Sequence, residues 1–260
     1  MEILVCVKRV PTVGGAITLT ADGQAVDTRM SGFTISPHEE CAVEEAVRLV
    51  ERHGGSVTVV TLGPVAAEEQ LRFCLSLGAS TAVLVETDGS ELSPLVTAAA
   101  LASVASAGGH DLVLLGNEAS DTGDYQVGIR MSYFLSQPVV TGIKALDFAA
   151  ETSMLTARRE YRGVSETFRL PLPAVVTVKE GINLPRYPSL PGRLRAKRAV
   201  IERIPVLSTI DRPELLTSPE FRVKGLRVPA AGKRSAVVLG SGVAAVPELV
   251  RVLGELGVLP

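Results

Sequence analysis

The chain has 260 residues, of which 46% are hydrophobic and 21% charged, and its formal net charge is −2. That length and apolar content bury a substantial core and allow one large domain with an appendage, at roughly 100 to 200 residues per domain. The near-neutral balance excludes a dedicated nucleic-acid binder, and the apolar runs are too broken by Gly, Ser or charge for membrane insertion, which needs about 20 apolar residues in a row.

Met1 opens directly into a β-branched run, 2–7, that ends at Lys8 and Arg9. This is not the basic-then-apolar order of a signal peptide, so a cytoplasmic location in a prokaryote is expected. Residues 16–20, an Asp22-Gly23 turn and 25–27 predict a small inserted hairpin. Ser36 at the cap, Pro37 and Glu39 then make a capping box, followed at helical spacing by Ala42, Val43, Ala46, Val47 and Val50 and stopped by Gly54 and Gly55. Runs 56–62, 81–86 and 111–115 repeat the first strand pattern, with helices predicted over 65–77, 92–107 and 124–135. Strands alternating with helices predict an α/β fold with a mostly parallel sheet and crossover helices. Past Val139 the segments 142–148, 155–161, 166–170 and 174–178 are strand-like with no helix between them, which predicts an antiparallel extension of the sheet.

Residues 183–192 read Asn-Leu-Pro-Arg-Tyr-Pro-Ser-Leu-Pro-Gly. Proline fixes φ and removes a backbone donor, so a stiff loop is predicted here in place of a helix or central strand, with Tyr187 and Leu190 displayed on it. Arg193, Arg195, Lys197 and Arg198 follow as a positive flank suited to a negatively charged partner surface; a merely solvated basic face is the other reading. After Pro205, Pro, Ser and Arg interrupt any period until a short amphipathic helix near 246–256. The expected organisation is therefore an α/β domain over 1–204, with a recognition loop at 183–198, and an arm over 205–260 that lies across a partner or serves as a flexible linker.

In an alternating α/β sheet, ligands bind at the carboxyl ends of the strands. Three loops fall there: 7–11, 62–64 and 116–128. The third offers glycines that let backbone amides approach a ligand, and Ser120, Asp121 and Thr122 that can cap the next helix, whose positive end suits a phosphate. A nucleotide site and a set of plain turn and cap residues are both compatible with it. No GxGxxG follows the first strand, no GxxxxGK[ST] occurs, and no GxSxG elbow is present. Cys6, Cys41 and Cys74 lack CxxC spacing and read as reduced thiols packed in apolar surroundings. His38, His53 and His110 do not cluster with other ligands, and only His38 adjoins the third loop. Neither a metal site nor a catalytic residue is expected.

Val5-Cys6-Val7-Lys8-Arg9-Val10-Pro11, the helix segment 42–49, Asp111 to Gly116 with Asp121 and Gln126, the run 172–177, and the PRYPSLP segment ending in Ala196-Lys197-Arg198 together resemble, in order, the beta (small) subunit of electron-transfer flavoproteins. The resemblance covers about residues 1–204. It implies an adenine-nucleotide-binding fold of the HUP, universal-stress-like kind. It also implies a heterodimer with an alpha subunit that holds the redox FAD, with AMP, or in the bifurcating branch a second FAD, kept in this subunit. The nucleotide would be lined by Cys6, Ser36, Pro37, His38, Glu39 and Leu62, together with Gly116, Asn117, Glu118, Ala119, Ser120, Asp121, Thr122, Gly123, Asp124, Tyr125, Gln126 and Val127.

By the same resemblance Leu190 is the anchor that enters a dehydrogenase pocket, and Glu166 matches an acidic residue that contacts an arginine of the flavin domain and orients it. The implied role is electron transfer from flavin dehydrogenases, such as the acyl-CoA dehydrogenases of fatty acid β-oxidation, to an acceptor such as a membrane-associated quinone oxidoreductase, as a carrier and not an enzyme. The chain departs from the family's Asn-Pro-(Phe/Tyr)-Asp at Ser36-Pro37-His38-Glu39, and its Asp121-to-Gly128 stretch lacks the acidic run of the mitochondrial type, so AMP and a second FAD remain alternatives. A nucleotide-sensing module of the universal-stress type is the competing function, against which the PRYPSLP segment and the long tail stand.

Overall fold

The computed structural model describes residues 1–12, 14, 17–211, 215, 223–229 and 236–259. In chain order the elements are β1 (Glu2–Val7), the short β2 (Val10–Pro11) and β3 (Phe33–Thr34), α1 (Pro37–His53), β4 (Ser56–Gly63), α2 (Glu68–Leu77), β5 (Thr81–Glu86), α3 (Pro94–Gly108), β6 (Leu112–Gly116), α4 (Val127–Leu135), β7 (Val139–Ile143), β8 (Ala145–Ala149), β9 (Met154–Tyr161), β10 (Val164–Pro171), β11 (Ala174–Val178), α5 (Leu190–Arg198), β12 (Glu202–Pro205) and α6 (Val246–Glu255). The hairpin expected after β1 is present as a bridge between Leu19 and Val26 closed by a turn at Gly23, where φ is +65°; its predicted first residue, Ala16, lies outside the described residues.

Seven strands form one sheet in the order β12-β5-β4-β1-β6-β11-β7, every neighbouring pair parallel. Both faces are covered, which is why the inner strands read as continuous apolar runs. Ile3, Val5 and Val7 of β1 face one core with α1 and α2, while Leu4 and Cys6 face a second core with α3 and α4. The alanines of α3, among them Ala98, Ala102 and Ala105, are buried and let that helix lie close against its neighbours.

The strand-like segments after Val139 divide in a way the sequence pattern did not anticipate. β8, β9 and β10 pair antiparallel, but as a three-stranded sheet of their own and not as a continuation of the main sheet. The last of the four segments, β11, returns to the main sheet and inserts, parallel, between β6 and β7. The small sheet does the work of a crossover: Leu146, Leu155, Ala157 and Leu170 bury themselves in the α1-side core, so no helix is needed to cover that end.

The proline-rich segment also differs from expectation, because Leu190 opens a nine-residue helix, α5, where a stiff loop was predicted. Ser189 caps it by accepting a hydrogen bond at Oγ from the Gly192 amide at 3.1 Å, and Pro191 falls in the first turn, where a missing N–H leaves no bond unmade. α5 rests on α2 through two small residues: Ala196 is buried, and a Cβ placed on Gly192 would stand 2.4 Å from the Ser76 carbonyl oxygen. The tail helix α6 buries none of its residues; Arg251 pairs with Glu248 and Glu255 along its polar side, and Val246, Leu249 and Val250 are exposed on it.

Gly192→Ala is therefore expected to destabilise the protein by about 1 to 3 kcal/mol through overpacking against the Ser76 carbonyl, as read by chemical denaturation. A Gly192→Ala variant as stable as the parent would show that α5 does not depend on this contact.

Candidate functional site

β1 lies between β4, reached through α1, and β6, reached through α3, so the loops leaving β1 and β6 diverge on opposite sides at the carboxyl end of the sheet, the switch point where open α/β sheets form a ligand crevice. Cys6 is level with Leu115 across this junction, which sets Lys8 beside the start of the loop after β6. The first turn of α1 is pressed into the same place. A Cβ on Gly116 would fall 2.8 Å from Glu39 Cγ and 3.1 Å from both the Glu39 nitrogen and His38 Cβ. Glycine is required there for space, and its absence of a side chain is what seats α1 on the end of β6.

The predicted capping box is formed on its carboxylate side, where the Ser36 amide donates to Glu39 Oε2 at 3.0 Å. Ser36 Oγ is buried and turned toward the Glu39 backbone and carboxylate in the box arrangement, while His38 Nδ1 is buried without a hydrogen bond, 4.0 Å from Glu118 Oε1. Burial pushes the Glu39 carboxyl up to about 7, against the pull of hydrogen bonds from the Lys8 and Ser36 amides and of the Lys8 charge. Burial also holds His38 below the usual imidazole value, although Glu118 and Glu180 draw it the other way. Lys8 Nζ reaches Glu91 at 2.7 Å and Asp121 at 2.9 Å, tying the loop before α3 to the loop after β6. Cys6 is buried in the α3-side core, and burial first, then the Glu39 charge, raise its thiol far above the ordinary range, so it stays a neutral group. Leu62, on β4, is half-buried against the α3-side core.

The loop 117–126 is internally braced. The Asn117 amide donates to the Val178 carbonyl at 2.8 Å, and the Thr177 hydroxyl donates to Asn117 Oδ1 at 2.8 Å while accepting from the Gly142 amide at 2.9 Å. Gly123 takes φ +60° and its amide donates to the Ala119 carbonyl at 2.9 Å. The space around Gly123 is open, its nearest neighbour being Glu118 Oε2 at 3.7 Å from an added Cβ, so the demand for glycine there comes from φ and not from crowding. Tyr125 is also left-handed, at φ +57°, and the neighbouring Glu118 carboxylate raises its hydroxyl above the usual phenol value.

Ser120, Asp121 and Thr122 do not cap α4, as was expected of them. The cap residue is Gln126, without a side-chain cap bond; its Oε1 accepts instead from Arg130 Nε and Nη2 at 3.1 and 2.9 Å. With Tyr125 left-handed the chain cannot turn helical until after it, which leaves residues 120–122 too far ahead of the first turn, and Asp121 serves Lys8. Ser120 and Thr122 are exposed, and Asp124 and Val127 are half-buried.

A buried imidazole nitrogen without a hydrogen bond at the α1 N-terminus and a bare glycine backbone at the end of β6 are groups of the type an adenine nucleotide can use. Among the described residues no three His, Cys, Asp or Glu side chains stand close enough to share a metal ion.

The expected docking residues lie elsewhere, along the later turns of α1 and the end of α2. Tyr187 is 94% exposed and Leu190 71% exposed, so Leu190 is not a core residue of this chain. Arg193, Lys197 and Arg198 are exposed, while Arg195 donates to the Leu75 carbonyl at 3.2 Å. Glu166 is on β10, opposite Arg159 of β9, and is ion-paired with it. The sequence reading missed Lys8 as a bridge and missed the buried acids Glu44 and Glu45 of α1; their signal was two carboxylates set between Val43 and Ala46 in an otherwise apolar stripe.

Because burial pushes the Glu39 carboxyl up to about 7 in the fold, while it keeps the ordinary carboxylate range when unfolded, the folded state holds a proton that the unfolded state has lost between those limits. Its stabilising effect is complete below the unfolded value and is lost as pH rises through about 7. Glu39→Gln is expected to gain on the parent by about 1 to 3 kcal/mol as pH rises across that window, measured by denaturation at each pH. A pH-independent difference would show that Glu39 ionises normally.

The family model of the electron transfer flavoprotein domain matches residues 25–208. The electron transfer flavoprotein subunit beta of Bacillus subtilis is 34% identical over 223 residues, covering 85% of this chain and 86% of the relative. The human protein of that name is 39% identical over 208 residues, covering 78% and 81%. The probable electron transfer flavoprotein subunit beta of Saccharomyces cerevisiae is 31% identical over 266 residues, 98% of this chain and 97% of its own. On the length matched by the family model and the identity to these relatives, the chain belongs to the beta-subunit family of electron transfer flavoproteins.

Proposed function

We propose that this chain is the carrier subunit of a heterodimer: it keeps an adenine nucleotide at the switch-point crevice, presents Leu190 to flavin dehydrogenases, and lays its arm over an alpha subunit that holds the redox FAD. The observation that carries this reading is the exposed apolar pair Tyr187 and Leu190 on an anchored segment, followed by exposed basic residues. An exposed leucine at the start of a capped helix contributes little to the fold and is suited to fill a partner's pocket. The unburied apolar face of α6 supports the arm, since such a face is covered by a partner and not by its own core. No helix among the described residues is long and apolar enough to cross a membrane.

In the crevice, Ser36, His38 and the backbone near Gly116 would hold the nucleotide, with Lys8 and Asp121 drawing the covering loop shut. Bound AMP supplies no redox chemistry, whereas a second FAD adds an electron-carrying centre. Glu166 and Arg159 form a charge pair that an arginine of a mobile flavin domain can compete for, biasing its orientation. Dehydrogenases of the acyl-CoA class are the proposed donors and a quinone oxidoreductase the proposed acceptor, with the pair working in the cytoplasm.

Purification with an alpha subunit, followed by heat release and counting of nucleotides, tests the first half. About one FAD and one AMP per heterodimer is the expected result, two FAD assigns the bifurcating branch, and a complex with no adenine compound beyond the alpha subunit's FAD contradicts the crevice reading. In the same complex Leu190→Ala is expected to weaken dehydrogenase docking about five-fold or more while leaving nucleotide content and melting temperature unchanged. Unaltered electron-transfer kinetics would refute the docking role.

A further inference from the structure

The segment between Asn183 and the start of α5 has little to hold it in place. Residues 184–189 belong to no helix or strand, and Pro185 and Pro188 have no amide hydrogen to donate. Leu184 is 82% exposed and Tyr187 94%, so neither packs the segment down. At one end Asn183 Nδ2 donates to the Cys41 carbonyl and to Glu45 Oε2, each at 3.0 Å. At the other, the Ser189 cap and the contact of Gly192 with α2 fix the helix.

Between these ends a single side chain makes the strong contacts. The Arg186 guanidinium donates from Nε to Glu44 Oε2 at 2.9 Å and from Nη2 to Glu44 Oε1 at 3.3 Å, while Nη1 and Nη2 reach Glu51 at 2.6 and 2.9 Å. The Arg186 backbone amide adds a bond to Glu44 Oε2 at 3.1 Å. Glu44 and Glu51 are seven residues apart on α1, which places them on one face two turns apart. Glu44 is almost wholly buried, with 2% of its side chain exposed, so its charge is held by Arg186 and by Arg48, whose Nε lies 2.6 Å away and whose Nη2 also takes the Leu184 carbonyl. A planar fork with five donors suits two carboxylates at once; a lysine ammonium does not reproduce it.

We propose that Arg186 is a positioning residue for docking: by clamping the middle of the segment to Glu44 and Glu51 it sets where Tyr187 and Leu190 stand before a flavin dehydrogenase binds. This rests on the docking reading of Leu190. Pre-ordering matters here because an anchor on a loose segment must be ordered during binding, which lowers affinity without altering the chemical step. Arg186 is partly exposed and joins neither apolar core, so its loss acts first on the segment it holds.

The test uses the intact heterodimer and an acyl-CoA dehydrogenase that reduces the parent complex. Steady-state KM and kcat, and amide hydrogen exchange over 184–190, are measured for Leu190→Ala, Arg186→Lys, Arg186→Gln and Glu51→Gln. For Arg186→Gln the expectation is a KM raised about five-fold or more with kcat and nucleotide content unchanged, and faster exchange across the segment. Arg186→Lys should recover part of the affinity, and Leu190→Ala should raise KM with exchange unaltered. Faster exchange with a parental KM in Arg186→Gln, while Leu190→Ala raises KM, overturns the positioning role and leaves docking standing. A parental KM in Leu190→Ala removes the docking reading and this proposal with it. Should Arg186→Gln not fold, Glu51→Gln decides: this carboxylate is half exposed, and its replacement strands no buried charge. Faster exchange with a raised KM supports the clamp, and unchanged exchange or an unchanged KM refutes it.

Discussion

The contact on which the rest of the structure depends is the seat of α1 on the end of β6, made possible because Gly116 has no side chain. It brings a buried helix N-terminus against the point where the strand order reverses, and it is there that His38 and Glu39 meet the end of β6. A helix of this length reaches about 25 Å at 1.5 Å per residue, so the element seated at Gly116 also runs beneath the segment proposed for docking. Glu39 serves the first turn of α1, Glu44 and Glu45 its middle, and Glu51 its last turn.

Two kinds of charge are used along this helix. Glu39 is buried with hydrogen bonds chiefly from backbone amides, and burial prevails, so the carboxyl is driven toward neutrality. Glu44 is also penalised by burial, but the Arg186 and Arg48 guanidinium groups outweigh this and hold it below its usual value. The first arrangement suits a wall of a ligand crevice, where a full negative charge would oppose a phosphate. The second suits a clamp, since breaking it strands a charge in the interior.

Much of this was legible in the sequence. The β-branched runs located β1, β4, β5 and β6 almost to the residue, and Ser36-Pro37 with Glu39 fixed the start of α1, because these signals act over a few neighbouring residues. The insertion of β11 between β6 and β7 was not legible: an apolar run of five residues pairs equally well in either direction, and its place is decided by strands far away in the chain. α5 was missed because prolines dominate the local pattern, whereas the helix is made by a cap at Ser189 and by small residues that dock on α2. The clamp of Arg186 on Glu44 joins residues 142 apart, a pairing no local spacing announces. The capping read for residues 120–122 gave way to a salt bridge between Asp121 and Lys8, because the loop turns helical only after Tyr125.

The measurement that bears most directly on this account is the nucleotide content of the heterodimer carrying Gly116→Ala, with its dehydrogenase KM taken on the same preparation. A methyl group there must displace the first turn of α1, whose atoms stand 2.8 to 3.1 Å from the added Cβ. The account predicts a folded complex that has lost most of its adenine nucleotide from this subunit. A complex with the full complement of nucleotide and a parental KM would show that the crevice does not depend on that seat, and would contradict it.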